Sequence, residues 1–243
     1  MNQQVSWQDR WQAVIHKLRI VLDQEEEQQL LVELAQSSSA KVVGFVNAHA
    51  MNSIAENTGF FDALMKADVL LRDGSGMALL YRYRGLVHGN NMNGTDLIPK
   101  IIAAFKGRRV AFWGTEEPYL TAAAERSAET FGVQVASCHH GFEEPERYLQ
   151  LANEIRPDLI VLGMGMPKQE RVAALIREAG LPVVVVCGGA ILDFLGKKVQ
   201  RAPQWIRKLG FEWLYRLLLE PKRLFKRYVI GNPAFMLRLA LWR

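Results

Sequence analysis

The sequence predicts an α/β fold: a mostly parallel β-sheet covered by helices, followed by a basic helical C-terminal appendage. Three observations lead there. Short Val/Ile/Leu runs alternate with longer segments of helical periodicity, most runs end on small or polar residues, and charge is divided unevenly along the chain. Of the 243 residues, 49% are hydrophobic and 23% charged, the composition of a folded chain long enough for one main core.

In chain order, the first forty residues read as a preceding helical layer, with Glu25 to Ala35 helical. Strands are then expected at Lys41 to Val46, Val69 to Arg72, Arg109 to Trp113, Val133 to Ser137, Leu159 to Leu162 and Val183 to Cys187. Several are unbroken apolar runs of the kind buried on both faces of a parallel sheet. Helices are expected at Asp96 to Phe105, Pro118 to Phe131, Pro145 to Ile155 and Lys168 to Ala179, the last stopped by Gly180 and Pro182. The organisation is therefore a core over residues 1–196 and an appendage over 197–243.

The appendage carries 12 Lys and Arg against Glu212 and Glu220, a charge of +10, whereas residues 1–196 hold 18 basic and 23 acidic side chains, a charge of −5. Its cations are interleaved with Trp205, Phe211, Trp213, Tyr215, Phe225, Tyr228, Phe235 and Trp242. The cations interleaved with these rings are Arg201, Arg207, Lys208, Arg216, Lys222, Arg223, Lys226, Arg227, Arg238 and Arg243. After Pro221, a natural first helical residue, Lys222, Arg223, Lys226 and Arg227 share one side of a helix. This pattern suits an anionic membrane surface, and large apolar residues favour it over nucleic acid.

No span is expected to cross a bilayer, because Leu181 to Leu192, the longest apolar stretch, contains a proline and two glycines. Met1 to Arg19 includes Gln, Trp, Asp and Lys, so no secretory signal is expected. Cys138 and Cys187 suggest neither a disulfide framework nor a metal site, and a reducing cytosol is the default compartment.

In an open parallel sheet, ligands sit beyond the carboxyl ends of the strands. There the sequence places Asn47-Ala48-His49, Asp73-Gly74-Ser75-Gly76, Gly114-Thr115, Gly163 to Glu170, and Gly188-Gly189. Gly163 and Gly165 let backbone approach a ligand, and Gln169 and Glu170 stand where an anion or a sugar hydroxyl meets a helix start. Asp73 has the access a general base for an alcohol requires, or else it caps the helix beginning near Met77. Asn47 offers a donor and an acceptor for sugar hydroxyls; His49 is the weaker candidate. His139-His140 has no third ligand nearby. The GxGxxG and Walker patterns are missing, as is an Asp-x-Asp pair, so no cofactor and no metal are expected.

Together these segments resemble the WecG/TagA/CpsF family of bacterial glycosyltransferases, glycosyltransferase family 26. The resemblance runs from about Val42 to Tyr228. It is carried by Asn47-Ala48, Asp73-Gly74-x-Gly76, Gly94-x-Asp96-Leu97, Gly163-x-Gly165-x-Pro167-x-Gln169-Glu170, Gly188-Gly189 with Asp193 and Gly196, and Arg201-Ala202-Pro203. Glu212-Trp213-Leu214-Tyr215-Arg216 and Glu220-Pro221-x-Arg223 complete it. The resemblance implies a Rossmann-like core and metal-independent, inverting transfer of a sugar from a UDP-sugar to a sugar on undecaprenyl diphosphate, at the cytoplasmic face of the cell membrane. Asp73 then matches the base, Asn47 and Gln169 match polar site residues, and Arg216 and Arg223 match arginines that meet the acceptor diphosphate. At the next such position the chain has Lys226, with Arg227 adjacent; lysine keeps the charge and loses the bidentate fork. Phe45 replaces a frequent threonine and Asn91 a frequent arginine. Losing that arginine disfavours a uronic-acid donor and leaves N-acetylmannosamine and glucose. A homo-oligomer is compatible with the sequence. The competing reading is a non-catalytic protein that docks on membrane or nucleic acid while its core senses a nucleotide sugar.

Overall fold

A computed structural model describes residues 5–208 and 210–242 of the chain. Seven parallel strands form one sheet in the order β1-β3-β2-β7-β6-β4-β5. They are β1 (Leu18–Arg19), β2 (Lys41–Val46), β3 (Val69–Arg72), β4 (Arg109–Gly114), β5 (Gln134–His139), β6 (Leu159–Gly163) and β7 (Val184–Cys187). The helices of the core are α1 (Trp7–Lys17), α2 (Gln24–Ala35), α3 (Ala48–Glu56), α4 (Thr58–Met65), α5 (Ser75–Tyr83), α6 (Gly94–Ala104), α7 (Tyr119–Phe131), α8 (Pro145–Ile155), α9 (Lys168–Glu178) and α10 (Ile191–Leu195).

The two-residue period of the strands divides the apolar side chains between two cores. Val42, Val46, Ala111, Trp113, Ile160, Leu162, Val185 and Cys187 face one side, where α1, α3, α4, α8 and α9 add Trp11, Met51, Phe60, Tyr148 and Ile176. Val43, Phe45, Val110, Phe112, Leu159, Val161, Val184 and Val186 face the other, against Leu30, Ile101, Ala123 and Leu192 of α2, α6, α7 and α10. At the sheet edge, β5 begins one residue later than expected. Its outer flank meets solvent, leaving Val135 exposed, and a register shift opposite Val110 and Ala111 takes the strand on to His139.

The start of the chain differs from the expected helical layer. Ser6 and Asp9 form a capping box that begins α1, and Asp23 caps α2. Between them β1 pairs with β3 and takes the chain along the sheet edge, so α1 and α2 lie on opposite faces.

The C-terminal segment contains α11 (Gln204–Lys208), α12 (Glu212–Leu219), α13 (Pro221–Phe225), a π-helical turn (Lys226–Ile230) and α14 (Gly231–Leu241). It returns to the core. Phe235, Leu239 and Trp242 are buried in the first core, with Trp11 packed between the Phe235 and Trp242 rings at 5.4 and 5.5 Å. Arg238 donates to Asn52 Oδ1 at 2.7 Å and to Glu56 at 2.6 Å on α3. Phe235 and Trp242 are therefore not part of an outward ring of aromatics; the unpaired face of α3 beside Trp11 takes them up. Arg243 lies outside the described residues, as do Met1 to Gln4.

Candidate active site

Opposite crossovers open a crevice in the sheet. The chain leaves β4 through α7 toward β5 at one edge, and leaves the neighbouring β6 through α9 toward β7 in the other direction. Gly114 and Gly163 are paired residues at the carboxyl ends of these strands. A Cβ on Gly114, whose φ is +148°, would stand 2.4 Å from the Gly163 carbonyl carbon, so only glycine lets the two backbones meet there. Next to them Thr115 has a φ of +40°, and its hydroxyl donates to Asp193 Oδ1 at 2.5 Å. Gly165 and Gly189 line adjoining turns, and a Cβ on either would meet open space.

Asp73 follows β3, and Gly74, not Asp73, occupies the cap position of α5. The capping role is thus excluded, and α5 begins at Ser75, two residues before the expected start. The Asp73 backbone N–H is tied to Val46 O at 2.8 Å, and its Oδ2 accepts from the Asn47 side-chain amide at 3.2 Å. Asn47 works in two directions, because its Oδ1 caps α3 by accepting from the Ala50 N–H at 3.1 Å. Asn91 Oδ1 accepts from the Gly74 N–H at 2.7 Å and holds the turn from the other side.

Some of the Asp73 surface stays accessible, while the protein packed around its carboxyl group pushes the pKa upward. Burial is the largest influence; the Asn47 hydrogen bond and the charges of Arg227, Arg72 and Arg216 pull the other way. Two of those cations come from the C-terminal segment. Arg216 lies 5.2 Å over the Phe194 ring and 3.8 Å from Glu220, and Arg227 sits on the π-helical turn. The Nε atoms of both are buried with no hydrogen-bond partner among the described residues. Nearby His49 is driven down to about 4 by burial and then by Arg227, so it is neutral at pH 7.

Arg223 takes another direction, pairing with Glu220 at 2.6 Å and reaching Asp193 at 3.7 Å. Lys226 is exposed and makes no ion pair among the described residues. Two of the sequence motifs meet in the Arg201–Asp96 pair at 2.6 Å, which joins the beginning of the C-terminal segment to α6.

Gln169 and Glu170 are only 2% and 3% exposed. Gln169 accepts from the Gly189 N–H at 2.9 Å and donates to Glu170 Oε1 at 2.8 Å. Glu170 therefore stands behind Gln169 and acts on the Gly188–Gly189 turn through it, rather than presenting itself to a ligand as the sequence suggested. Burial raises its pKa to about 7. The sequence does not reveal Thr115 and Asp193 as a pair, nor Arg72 as a charge acting on Asp73. The polar strand-end residue Thr115 was the available signal for the first; no spacing marks a contact as distant as Thr115 to Asp193.

Relatives give the same direction. The chain is 25% identical over 201 residues to an N-acetylglucosaminyldiphosphoundecaprenol N-acetyl-β-D-mannosaminyltransferase of Bacillus subtilis, covering 81% of this chain and 77% of the relative. Proteins of the same name from Bacillus spizizenii and Staphylococcus aureus are 29% and 26% identical over 69% and 84% of the chain, and 67% and 82% of their own lengths. The glycosyl transferase WecG/TagA/CpsF family matches residues 15–243, which include every element of the crevice, and the chain belongs to that family.

Proposed function

We propose that the protein transfers a hexose or N-acetylhexosamine from a UDP-sugar to a sugar carried on undecaprenyl diphosphate, with inversion, in the synthesis of a cell-surface polysaccharide. The observation that carries this reading is that one buried carboxyl group, Asp73, lies within the field of Arg216 and Arg227 of the C-terminal segment, whose Nε atoms are themselves buried with no hydrogen-bond partner among the described residues. A base and a source of positive charge in one crevice are what displacement of a nucleoside diphosphate by a hydroxyl requires.

In this mechanism Asp73 removes the proton of the acceptor hydroxyl as its oxygen attacks the anomeric carbon. The bond from that carbon to the UDP oxygen breaks on the opposite face, and the single displacement inverts the centre. Arg216 and Arg227, with the helix starts beyond Gly114 and Gly165, meet the negative charge of the diphosphates. These groups supply that charge without a metal ion. Arg223 and Lys226 extend the cationic surface toward the acceptor. Asn47 orients Asp73, Asn91 fixes the turn that carries it, and Gln169 and Glu170 hold the turn formed by Gly188 and Gly189.

The relatives' names favour N-acetylmannosamine as the sugar moved, with glucose the competitor. Residues 197–243 serve as a membrane-associating appendage that brings the crevice to the lipid on the cytoplasmic face, as a peripheral contact. No helix among the described residues is long and apolar enough to cross a membrane. The test is a panel of UDP-sugars offered with a synthetic polyprenyl-diphosphate sugar, read by product mass and UDP release. One donor is expected to add a single sugar; absence of UDP release with every donor, from protein shown to bind UDP, would establish the non-catalytic reading instead.

A further inference from the structure

The turn that carries Asp73 is joined to a second exposed feature, the loop after α5. Gly85, at a φ of +67°, ends that helix, and the Leu86 N–H returns to Tyr81 O at 2.8 Å. This helix-ending turn ordinarily folds the next apolar side chain back onto the helix. Even so, the apolar side chains around the turn stay open to solvent: Tyr83, Leu86 and Val87 are 57%, 45% and 72% exposed.

The base of the loop is rigid. Arg72, buried next to Asp73 in the chain, donates to His88 O at 2.7 Å, to Gly89 O at 3.2 Å and to Gly74 O at 2.9 Å. The Asn90 N–H donates to Val21 O at 2.7 Å, and a Cβ on Gly89 would lie 2.5 Å from that same oxygen. One guanidinium thus joins the base of the loop to the turn following Asp73. The loop also adjoins the end of α14, where the Arg84 guanidinium stacks 4.4 Å from the Trp242 ring. In the helix that leads to Trp242, α14 exposes Leu237 and Leu241, four residues apart on one face.

We propose that Tyr83, Leu86 and Val87, together with the outer face of α14, form a bilayer-contacting surface separate from the amphipathic α12–α13 region. This rests on the peripheral-membrane reading above and names a further part of the chain that carries it out. Charge selects the occupant. Between Asp73 and Asp96 the sequence has Arg82 and Arg84 and no carboxylate, so every charged side chain of the segment that carries the apolar tip is a cation. An aromatic ring, two aliphatic side chains and flanking arginines suit the interface of an anionic bilayer. Because Arg72 ties the base of the loop to the Gly74 turn, insertion of the tip would set the height of Asp73 above the lipid.

The test uses the full chain carrying Leu86→Ser with Val87→Ser, and in a second variant Leu86→Asp with Val87→Asp. Three readouts are taken: sedimentation with phosphatidylglycerol-containing vesicles, transfer to a short-prenyl water-soluble acceptor, and mass by light scattering. Vesicle affinity is expected to fall about tenfold in the serine variant and further in the aspartate variant. Transfer to the soluble acceptor and mass should match the parent. Should the aspartate variant fail to fold, the serine variant alone decides. Unchanged vesicle affinity overturns the proposal, and a lowered mass with unchanged vesicle affinity assigns the patch to a second copy of the chain. If the parent transfers nothing to the soluble acceptor, the enzymatic reading fails while the vesicle comparison still decides this one.

Discussion

The Asn47 side-chain amide spans two elements, donating to Asp73 Oδ2 at 3.2 Å while its oxygen accepts from the Ala50 N–H at 3.1 Å. The start of α3 and the carboxylate after β3 are therefore positioned by one side chain. If Asp73 is the base, Asp73→Asn keeps its shape and removes the proton acceptor, and turnover should fall about a hundredfold or more. The same change removes a desolvated charge, so the melting temperature at pH 8 should equal or exceed that of the parent. Near-normal turnover at saturating acceptor would place the base elsewhere.

The same bond predicts a pH effect. Burial raises the pKa of Asp73, and the bond from Asn47 and the charge of Arg227 lower it. Under the proposed mechanism activity needs the deprotonated form, so kcat/KM should decline as pH falls through that raised value. Asn47→Ala or Arg227→Gln takes away a stabiliser of the charged form and should shift the acid limb to higher pH. A limb at the parent position in both variants would show that a different group controls it.

Glu170 gives a prediction about stability. Its pKa rises from the ordinary 4.5 to about 7 through burial, so the folded state holds a proton the unfolded state has lost. The stabilisation from this group is then complete below about 4.5 and is lost as pH rises through about 7. Glu170→Gln cannot ionise and should be more stable than the parent at pH 8, by as much as about 3 kcal/mol, with the advantage vanishing near pH 4. Urea denaturation at both pH values measures it. A constant difference between the two proteins across that range would contradict the buried-acid account.

How much of this was legible in the sequence depended on how local each cause was. Lys41–Val46 and Val69–Arg72 coincide with their expected strands because continuous apolar runs leave a buried parallel strand few other registers. Leu18–Arg19 is not legible in the sequence, because two residues carry no periodicity and their pairing to Leu70 and Leu71 is entirely tertiary. The helices Ala48–Glu56 and Thr58–Met65 go beyond the expected elements, although Asn47 and Asn57 cap them. Asp73 was visible from its place after a strand. Its proximity to Arg216 and Arg227 was not, since it depends on the return of the C-terminal helices to the core. Phe235 and Trp242 read as surface rings in the sequence because a basic, aromatic segment looks amphipathic from either side; Trp11, distant in sequence, decides which rings turn inward.

That return changes how the C-terminal segment should be tested. Deleting residues 197–243 would abolish membrane contact under the proposed function, but it would also strip Phe235, Leu239 and Trp242 from the first core and uncover Trp11. Phe235→Ala alone should cost about 3–5 kcal/mol, because the side chain is fully enclosed and its neighbours can collapse only in part. Arg216→Ala offers the cleaner comparison. It leaves the packing of α14 in place and removes an inward-turned cation acting on Asp73. Turnover with the diphosphate-linked acceptor should drop at least tenfold, on the scale of a charge-assisted hydrogen bond, while the melting temperature stays within a few degrees of the parent. Equal loss of activity and folded stability in Arg216→Ala would make the arginine a packing residue; loss of activity alone assigns it to the diphosphate.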